Sequence, residues 1–266
     1  MGERAIRVLK EVDCVFAEDT RHSRKLLDHF AIGSKLRSLH SHNERERASE
    51  MLSRLEAGQN LALISDAGTP LISDPGFVLV RSARRAGLRV IPIPGPNAAI
   101  AALSVSGIPA DRFLFVGFLP AKSQARRQKL REYVEYPFCL IFYESPHRLA
   151  AMLQDMADIF PLHREAFLAR EMTKHYEEYR LSTVGELAGS VAGTARACRG
   201  ECVVIVAGQG QGEREAGHDV EQDRVLKLLL ARLPVKEAAA LAAVITGGRR
   251  NRLYERALSL KKSEEG

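Results

Sequence analysis

No stretch of the 266-residue chain holds the ~18 consecutive apolar residues that a membrane-spanning helix needs, so no membrane partner is expected. The N-terminal residues lack the apolar core of a secretion signal, and a cytoplasmic location is the expectation. Cysteine is scarce: Cys14, Cys139, Cys198 and Cys202 are all there are. The first two sit in apolar, strand-like runs and read as buried thiols. The last two have no nearby His or second cysteine pair, so no metal site is expected. The two principal turns fit neither G-x-G-x-x-G nor G-x-x-x-x-G-K-[ST], which sets aside the common dinucleotide and triphosphate fingerprints. Acidic residues are outnumbered, with a net charge of +6 and a pI near 9.2. That excess permits a nucleic-acid partner without identifying one.

What is present is a chain that is 45% hydrophobic and 27% charged, the composition of a soluble globular protein. Its organising stretch runs from Leu61 to Ala101. Leu61-Ala62-Leu63-Ile64 has the length of a buried parallel strand. It breaks at Ser65-Asp66-Ala67-Gly68-Thr69-Pro70, whose small, turn-forming residues let the backbone fold closely around a ligand. A helix is expected over 76–86, a second strand at Val90-Ile91-Pro92-Ile93, and a second tight turn at Pro94-Gly95-Pro96-Asn97-Ala98 opening a small-residue helix. Either turn alone is most simply a turn. Two of them at the carboxyl ends of neighbouring parallel strands lie where open α/β sheets bind ligands.

Elsewhere the pattern alternates strands and helices. Helix is expected over 3–12 and 44–56, with strands at 14–17 and 36–41. The first strand runs into Glu18-Asp19-Thr20-Arg21-His22-Ser23-Arg24-Lys25, a dense ionisable run at a strand-to-helix junction. Acids at a helix start satisfy the macrodipole, but an acid pair with an imidazole on the ligand-binding edge reads as functional. His40 and His42 stay unassigned. Strands follow at 113–118, 138–143, 166–169 and 201–206, with a helix at 149–159 and charged strand ends at Glu144 and at Arg170 to Lys174. Between 122 and 131 stand Lys122, Arg126, Arg127, Lys129 and Arg131, either a solvated helix face or a phosphate-tracking surface. A linker is expected over 209–212, then helices over 220–233 and 235–241 and a last one ending at 260. Arg249 and Arg250 at the start of that last helix suit either phosphate binding or a docking tail. The division expected is an α/β domain over 1–112, a second α/β domain over 113–210, and a linker and helical segment over 211–266.

SDAGTPLISDPG, PGPNAAIAAL, VGFLP at 116–120, YESPHR at 143–148 and EDTRHSRKLL resemble the tetrapyrrole-methylase (class III) methyltransferases. Within them they resemble the branch that methylates a ribose 2′-hydroxyl on 16S ribosomal RNA. The match runs from about Arg4 to Gly208 and continues into the tail at LPVKEAAALAAVITGGRRNRLYERAL. The resemblance implies a fold of two α/β domains with S-adenosylmethionine in the cleft between them, a homodimer, and a cytidine in the decoding centre of 16S rRNA, within the small ribosomal subunit, as target. Carried over motif by motif, Asp66, Ala67, Gly68, Thr69, Ile72, Asn97, Ala98 and Glu144 are expected to bind the cofactor. The RNA-binding set is Arg21, Arg24 and Lys25 with Lys122, Arg126, Arg127, Lys129, Arg131, Arg249 and Arg250. The family usually begins with a further strand and a TPIGNLxD-like loop. This chain starts inside the helix that comes after them, so an exposed sheet edge and reduced activity of this form are expected.

Methyl transfer from a sulfonium is an in-line displacement, so alignment of the two reacting atoms is the main task. A ribose hydroxyl is weakly acidic and gains from a base, by about 10²–10⁴-fold. Glu18, Asp19, His22, Glu144 and Lys174 are the catalytic candidates. Two other readings remain: a methylase of a small tetrapyrrole-like substrate, and a non-catalytic RNA-binding or ribosome-assembly factor retaining the fold.

Overall fold

Three short parallel strands form the first sheet, β1 (Cys14–Ala17), β2 (Lys35–Ser38) and β3 (Leu61–Ile64), in the order β2-β1-β3. The structure, a computed structural model, describes residues 1–40, 43–191 and 200–264, and the side chains among these except 211–220 and 262–264. His42 and Cys198 lie outside the described residues. Alternate side chains of the central strand feed two cores, as a pleated strand requires. Cys14 and Phe16 pack with Leu39, Met51 and Leu79, while Val15 packs with Leu9, Leu27 and Ile32. Helices α1 (Glu3–Glu11), α2 (Thr20–His29), α3 (Glu44–Glu56) and α4 (Phe77–Arg85) supply most of those partners. β1 is fully buried, but β3, at the sheet edge, is only half-buried along its length.

Val90–Ile93, expected as a strand, joins no ladder. Pro92 and the following Pro94 have no N–H to donate, and no described strand lies alongside to receive the remaining groups. An apolar run this short becomes a strand only when a partner stands next to it. The predicted β-α-β unit around 61–93 is therefore incomplete, and the parallel unit that does form is β1-α2-β2.

The second sheet has five strands in the order β4-β5-β8-β6-β7: β4 (Phe113–Phe118), β5 (Cys139–Glu144), β6 (Glu165–Arg170), β7 (Glu178–Thr183) and β8 (Cys202–Val206). β4 and β5 are parallel, and the other pairings are antiparallel. One face, with Leu140, Phe142, Leu168 and Val204, packs on α7 (Pro146–Ala157) and α8 (Val184–Val191). The other, with Ile141, Phe167 and Ile205, receives Ala99, Ala102 and Leu103 of α5 (Ala98–Val105). Thus α5 precedes β4 in the chain but packs into the second core. β7 and α8 were not visible in the sequence: β7 is largely exposed and polar and shows no apolar run.

Helix α7 begins three residues before its expected start, because Pro146 suits a first-turn position that needs no N–H. Helix α6 (Ser123–Arg131) lies against α7. The expected linker at 209–212 is shorter than read, since α9 (Gln211–Leu230) starts within it; α10 (Val235–Thr246) and α11 (Arg250–Glu264) complete the chain. These three helices share their own core of Val225, Leu226, Ala239, Ala242, Leu253, Ala257 and Leu260. Among the described residues no helix is long and apolar enough to cross a membrane.

Candidate cofactor site at the junction of the two sheets

The carboxyl end of β1 leads into Glu18 and Asp19. Asp19 is the N-cap of α2: its Oδ1 accepts hydrogen bonds from the Arg21 N–H at 2.7 Å and the His22 N–H at 3.2 Å. These two bonds hold its carboxyl below the usual carboxylate range. The Asp19 N–H donates in turn to Asp66, at 3.1 Å to Oδ2, and the Ser23 hydroxyl donates to Asp66 Oδ1 at 3.3 Å. Asp66, just past β3, therefore ties the β1 and β3 ends together.

After Asp66 the chain enters a contorted loop. Gly68, Leu71, Ser73 and Gly76 all have positive φ, at 122°, 73°, 68° and 132°. Two of these are L-residues with side chains, a conformation that stores strain and clusters at ligand sites. The Thr69 hydroxyl donates to the Pro96 carbonyl at 3.0 Å. SDAGTP and PGPNA thus touch, although 90–93 forms no strand. Asn97 caps α5, its Oδ1 accepting from the Ile100 N–H at 3.1 Å.

The second sheet closes the junction. The Tyr143 hydroxyl accepts the Ala99 N–H at 3.0 Å, and its ring meets Phe115 and Phe118 edge-on. β4 bulges at Gly117, where an added Cβ would meet Ser73 Oγ at 3.3 Å. Bulges are common beside active sites.

Charge at this junction is unbalanced. Burial raises the Glu18 carboxyl above its ordinary range, helped by Asp74 and Asp66 and opposed by His40. Burial also raises Asp74, against a hydrogen bond from Ser65. Asp74 Oδ2 is buried and makes no hydrogen bond. Burial, with Asp74 and Glu201 adding to it, keeps the Tyr143 phenol protonated above its usual range. Asp74, Ser65 and Tyr143 were missed in the sequence. The signal for Asp74 was there: Ser-Asp-x-Gly occurs twice, at 65–68 and 73–76.

The remaining expected residues fall into distinct places. Ala67 and Ile72 sit on the loop and Ala98 is half-buried at the start of α5. His22 is exposed on the first turn of α2. Glu144 ends β5 but is buried, accepting the Ser145 N–H at 2.8 Å and pairing with Arg148 at 3.1 Å. Lys174 stands beyond β6 on the same sheet edge, paired with Glu171 at 2.9 Å and Glu201 at 3.6 Å, which raises its pKa. Cys14, Cys139 and Cys202 are buried free thiols, and burial pushes Cys202 up to about 11. Among the described residues no group of three or more His, Cys, Asp or Glu is arranged to hold a metal ion.

The basic run on α6 requires a correction. Arg126 is 3% exposed and is no surface contact: Nε and Nη2 hold Asp155 Oδ2 at 2.7 and 2.6 Å. Arg127 pairs with Asp158, and Lys129 with Glu132 while lying over the Tyr133 ring. Asp155 on α7 and Asp158 at its C-cap are two of these acids, so packing α6 on α7 uses charges that sequence alone displays as free. Lys122 and Arg131 remain exposed, as do Arg21, Lys25, Arg249 and Arg250, and Arg24 is half-buried.

The model of the Tetrapyrrole (Corrin/Porphyrin) Methylases matches residues 1–188, and that of the RsmI C-terminal HTH domain matches 216–261. The chain belongs to the tetrapyrrole methylase family. Its relatives within the family include a protein of Pseudomonas aeruginosa named Ribosomal RNA small subunit methyltransferase I, 56% identical, the match covering 97% of this chain and 92% of that one. A protein of the same name from Escherichia coli O157:H7 is 50% identical over 96% of this chain and 89% of its own. Among solved structures, diphthine synthase superposes with a TM-score of 0.59 at 13% identity, over 81% of this chain and 88% of its own. Uroporphyrin-III-C-methyltransferase from Thermus thermophilus gives 0.54 at 19%, over 82% and 90%. At such identities these two likenesses speak for the tetrapyrrole methylase fold alone.

Proposed function

We propose that this methyltransferase-family chain transfers a methyl group from S-adenosylmethionine to the 2′-hydroxyl of a cytidine in the decoding centre of 16S ribosomal RNA, in the cytoplasm and as a homodimer acting on the small ribosomal subunit. The observation that carries the reading is the Thr69–Pro96 bond, which holds two glycine-bearing loops together where both sheets end. Kinship with proteins named for rRNA methylation gives it its substrate.

The residues present fit the cofactor. S-adenosylmethionine carries a sulfonium and an ammonium, and the junction offers Asp66, Asp74 with a buried unbonded oxygen, and Glu18. Gly68 and the Pro94–Asn97 turn leave backbone accessible for the adenosine, with Thr69, Ile72 and Ala98 beside them. When bound, the cofactor supplies an electrophilic methyl group. The protein aligns the ribose oxygen with it and takes up the proton. Glu18 is the best placed base of the candidates: it is exposed, and its raised pKa brings it closer to the operating pH. Asp19 is engaged as a helix cap and Glu144 is buried in an ion pair, which assigns both to positioning. The division at 112 and 210 is part of the same proposal, with α5 crossing to the second core.

The deciding experiment incubates the chain with labelled S-adenosylmethionine and small ribosomal subunits, then maps the methylated nucleotide. Label in a cytidine ribose supports the reading. Label in a base, or none while cofactor binds, overturns it. Light scattering decides the dimer.

A further inference from the structure

The turn between α10 and α11 is built with unusual rigidity. Gly247 closes α10 in the left-handed region, at φ 70°. Gly248 has no room for a side chain: a Cβ there would lie 2.4 Å from Gln222 Nε2 and 3.0 Å from Leu253 Cδ1. Gln222, on α9, is itself buried. The turn is thus seated against α9, which fixes the position of the next two residues, Arg249 and Arg250. Both are exposed. From Ile245 to Tyr254 the sequence has three arginines and no acid.

Helix α11 turns Leu253, Ala257 and Leu260 into the small core. The opposite stripe, at four-residue spacing, is Arg250, Tyr254 and Leu258. Tyr254 is 41% exposed and Leu258 39%. A helix serving only as a solvated cover would carry polar residues there. An arginine pair beside an outward aromatic ring is instead the combination that holds unpaired nucleic acid: guanidinium forks take phosphates, and the ring takes a base face. Paired A-form RNA hides its base faces, so a ring contributes little to duplex binding.

We propose that the α10–α11 turn and the outward stripe of α11 dock an unpaired stretch of RNA, with Arg249 and Arg250 on phosphates and Tyr254 stacked on a base. The inference rests on the RNA reading above and deepens it. The helical unit has its own core, distinct from those of the two sheets. Its contribution is therefore to holding the substrate, seen in KM rather than kcat.

The test compares the full chain with Tyr254→Ala, Tyr254→Phe and the double variant Arg249→Ala/Arg250→Ala. The probes are a naked RNA hairpin with an unpaired loop and a fully paired RNA duplex of equal length. The expected result is that the wild type prefers the hairpin and that Tyr254→Ala weakens hairpin binding about tenfold. Tyr254→Phe keeps it, because the π-face survives. The double variant flattens the salt dependence by roughly 0.7 in log–log slope per lost phosphate contact. With small subunits as methyl acceptor, both alanine variants raise KM and leave kcat. Equal hairpin binding by wild type and Tyr254→Ala overturns the proposal. So does a loss seen only with assembled subunits, which marks a protein partner. If the wild type methylates RNA and the variants match it, this inference fails alone. If it methylates no RNA yet binds the hairpin through Tyr254, the catalytic reading fails and this one stands.

Discussion

Both sheets end their strands in ionisable residues, yet they dispose of the charge differently. At the end of β5, Glu144 is buried and closed against Arg148, and behind it Asp155 is gripped by Arg126 and Ser123. At the ends of β1 and β3, Glu18 and Asp74 crowd Asp66, both with pKa raised, and one buried oxygen makes no hydrogen bond. Paired charge in the second sheet is architecture. Charge left unpaired in the first sheet destabilises the fold, and such residues persist where a ligand completes them.

The comparison breaks hardest at Asp155. Asp155→Ala leaves the Arg126 guanidinium buried and uncompensated, with an expected loss of about 3–5 kcal/mol in unfolding free energy. Urea denaturation reads it, and a change below about 1 kcal/mol makes the pair dispensable. S-adenosylmethionine affinity, corrected for the folded fraction, stays the same.

Gly68→Ala acts on the other side. A Cβ at Gly68 finds ordinary space, 3.9 Å from the Pro96 carbonyl, but its φ of 122° is hostile to an L-residue. The loop rearranges at a stability loss of about 1–2 kcal/mol, and S-adenosylmethionine affinity falls at least about tenfold. Unchanged affinity in calorimetry removes this loop from the site.

A smaller effect is expected from Thr69→Val, which removes the bond joining the two turns. Stability drops by about 0.5–1.5 kcal/mol, and cofactor binding weakens with it. A variant that loses stability but binds normally shows that the turns need not touch.

Asp74→Asn sharpens the contrast with the smallest signal. The folded protein holds the Asp74 proton more tightly than the unfolded chain, so this carboxyl lowers stability as pH rises from its ordinary 3.8 through the raised folded value. That penalty persists at neutral pH. The variant is expected to melt about 1–3 °C higher at pH 7, the gain vanishing well below pH 3.8, and to bind cofactor less well. A lower melting point at pH 7 contradicts the account of strained acids.

Much of this was legible in the residues. β1, β3 and the helix at 44–56 follow from local apolar pattern, and the two turns announce themselves by glycine, proline and asparagine. Val90–Ile93 was misread because a strand is a relation between two segments. β7 was invisible because an exposed edge strand needs no apolar alternation. The α6 run was over-read because its neutralising acids, Asp155 and Asp158, come from the far end of α7.

By itself the sequence determined the alternation of strands and helices, the two turns and the kinship they carry, since each depends on residues close together along the chain. Only the tertiary structure decided which charges stay unpaired. Burial and pairing depend on what lies across a gap, and through that gap Asp74 became part of the site while Arg126 left the surface.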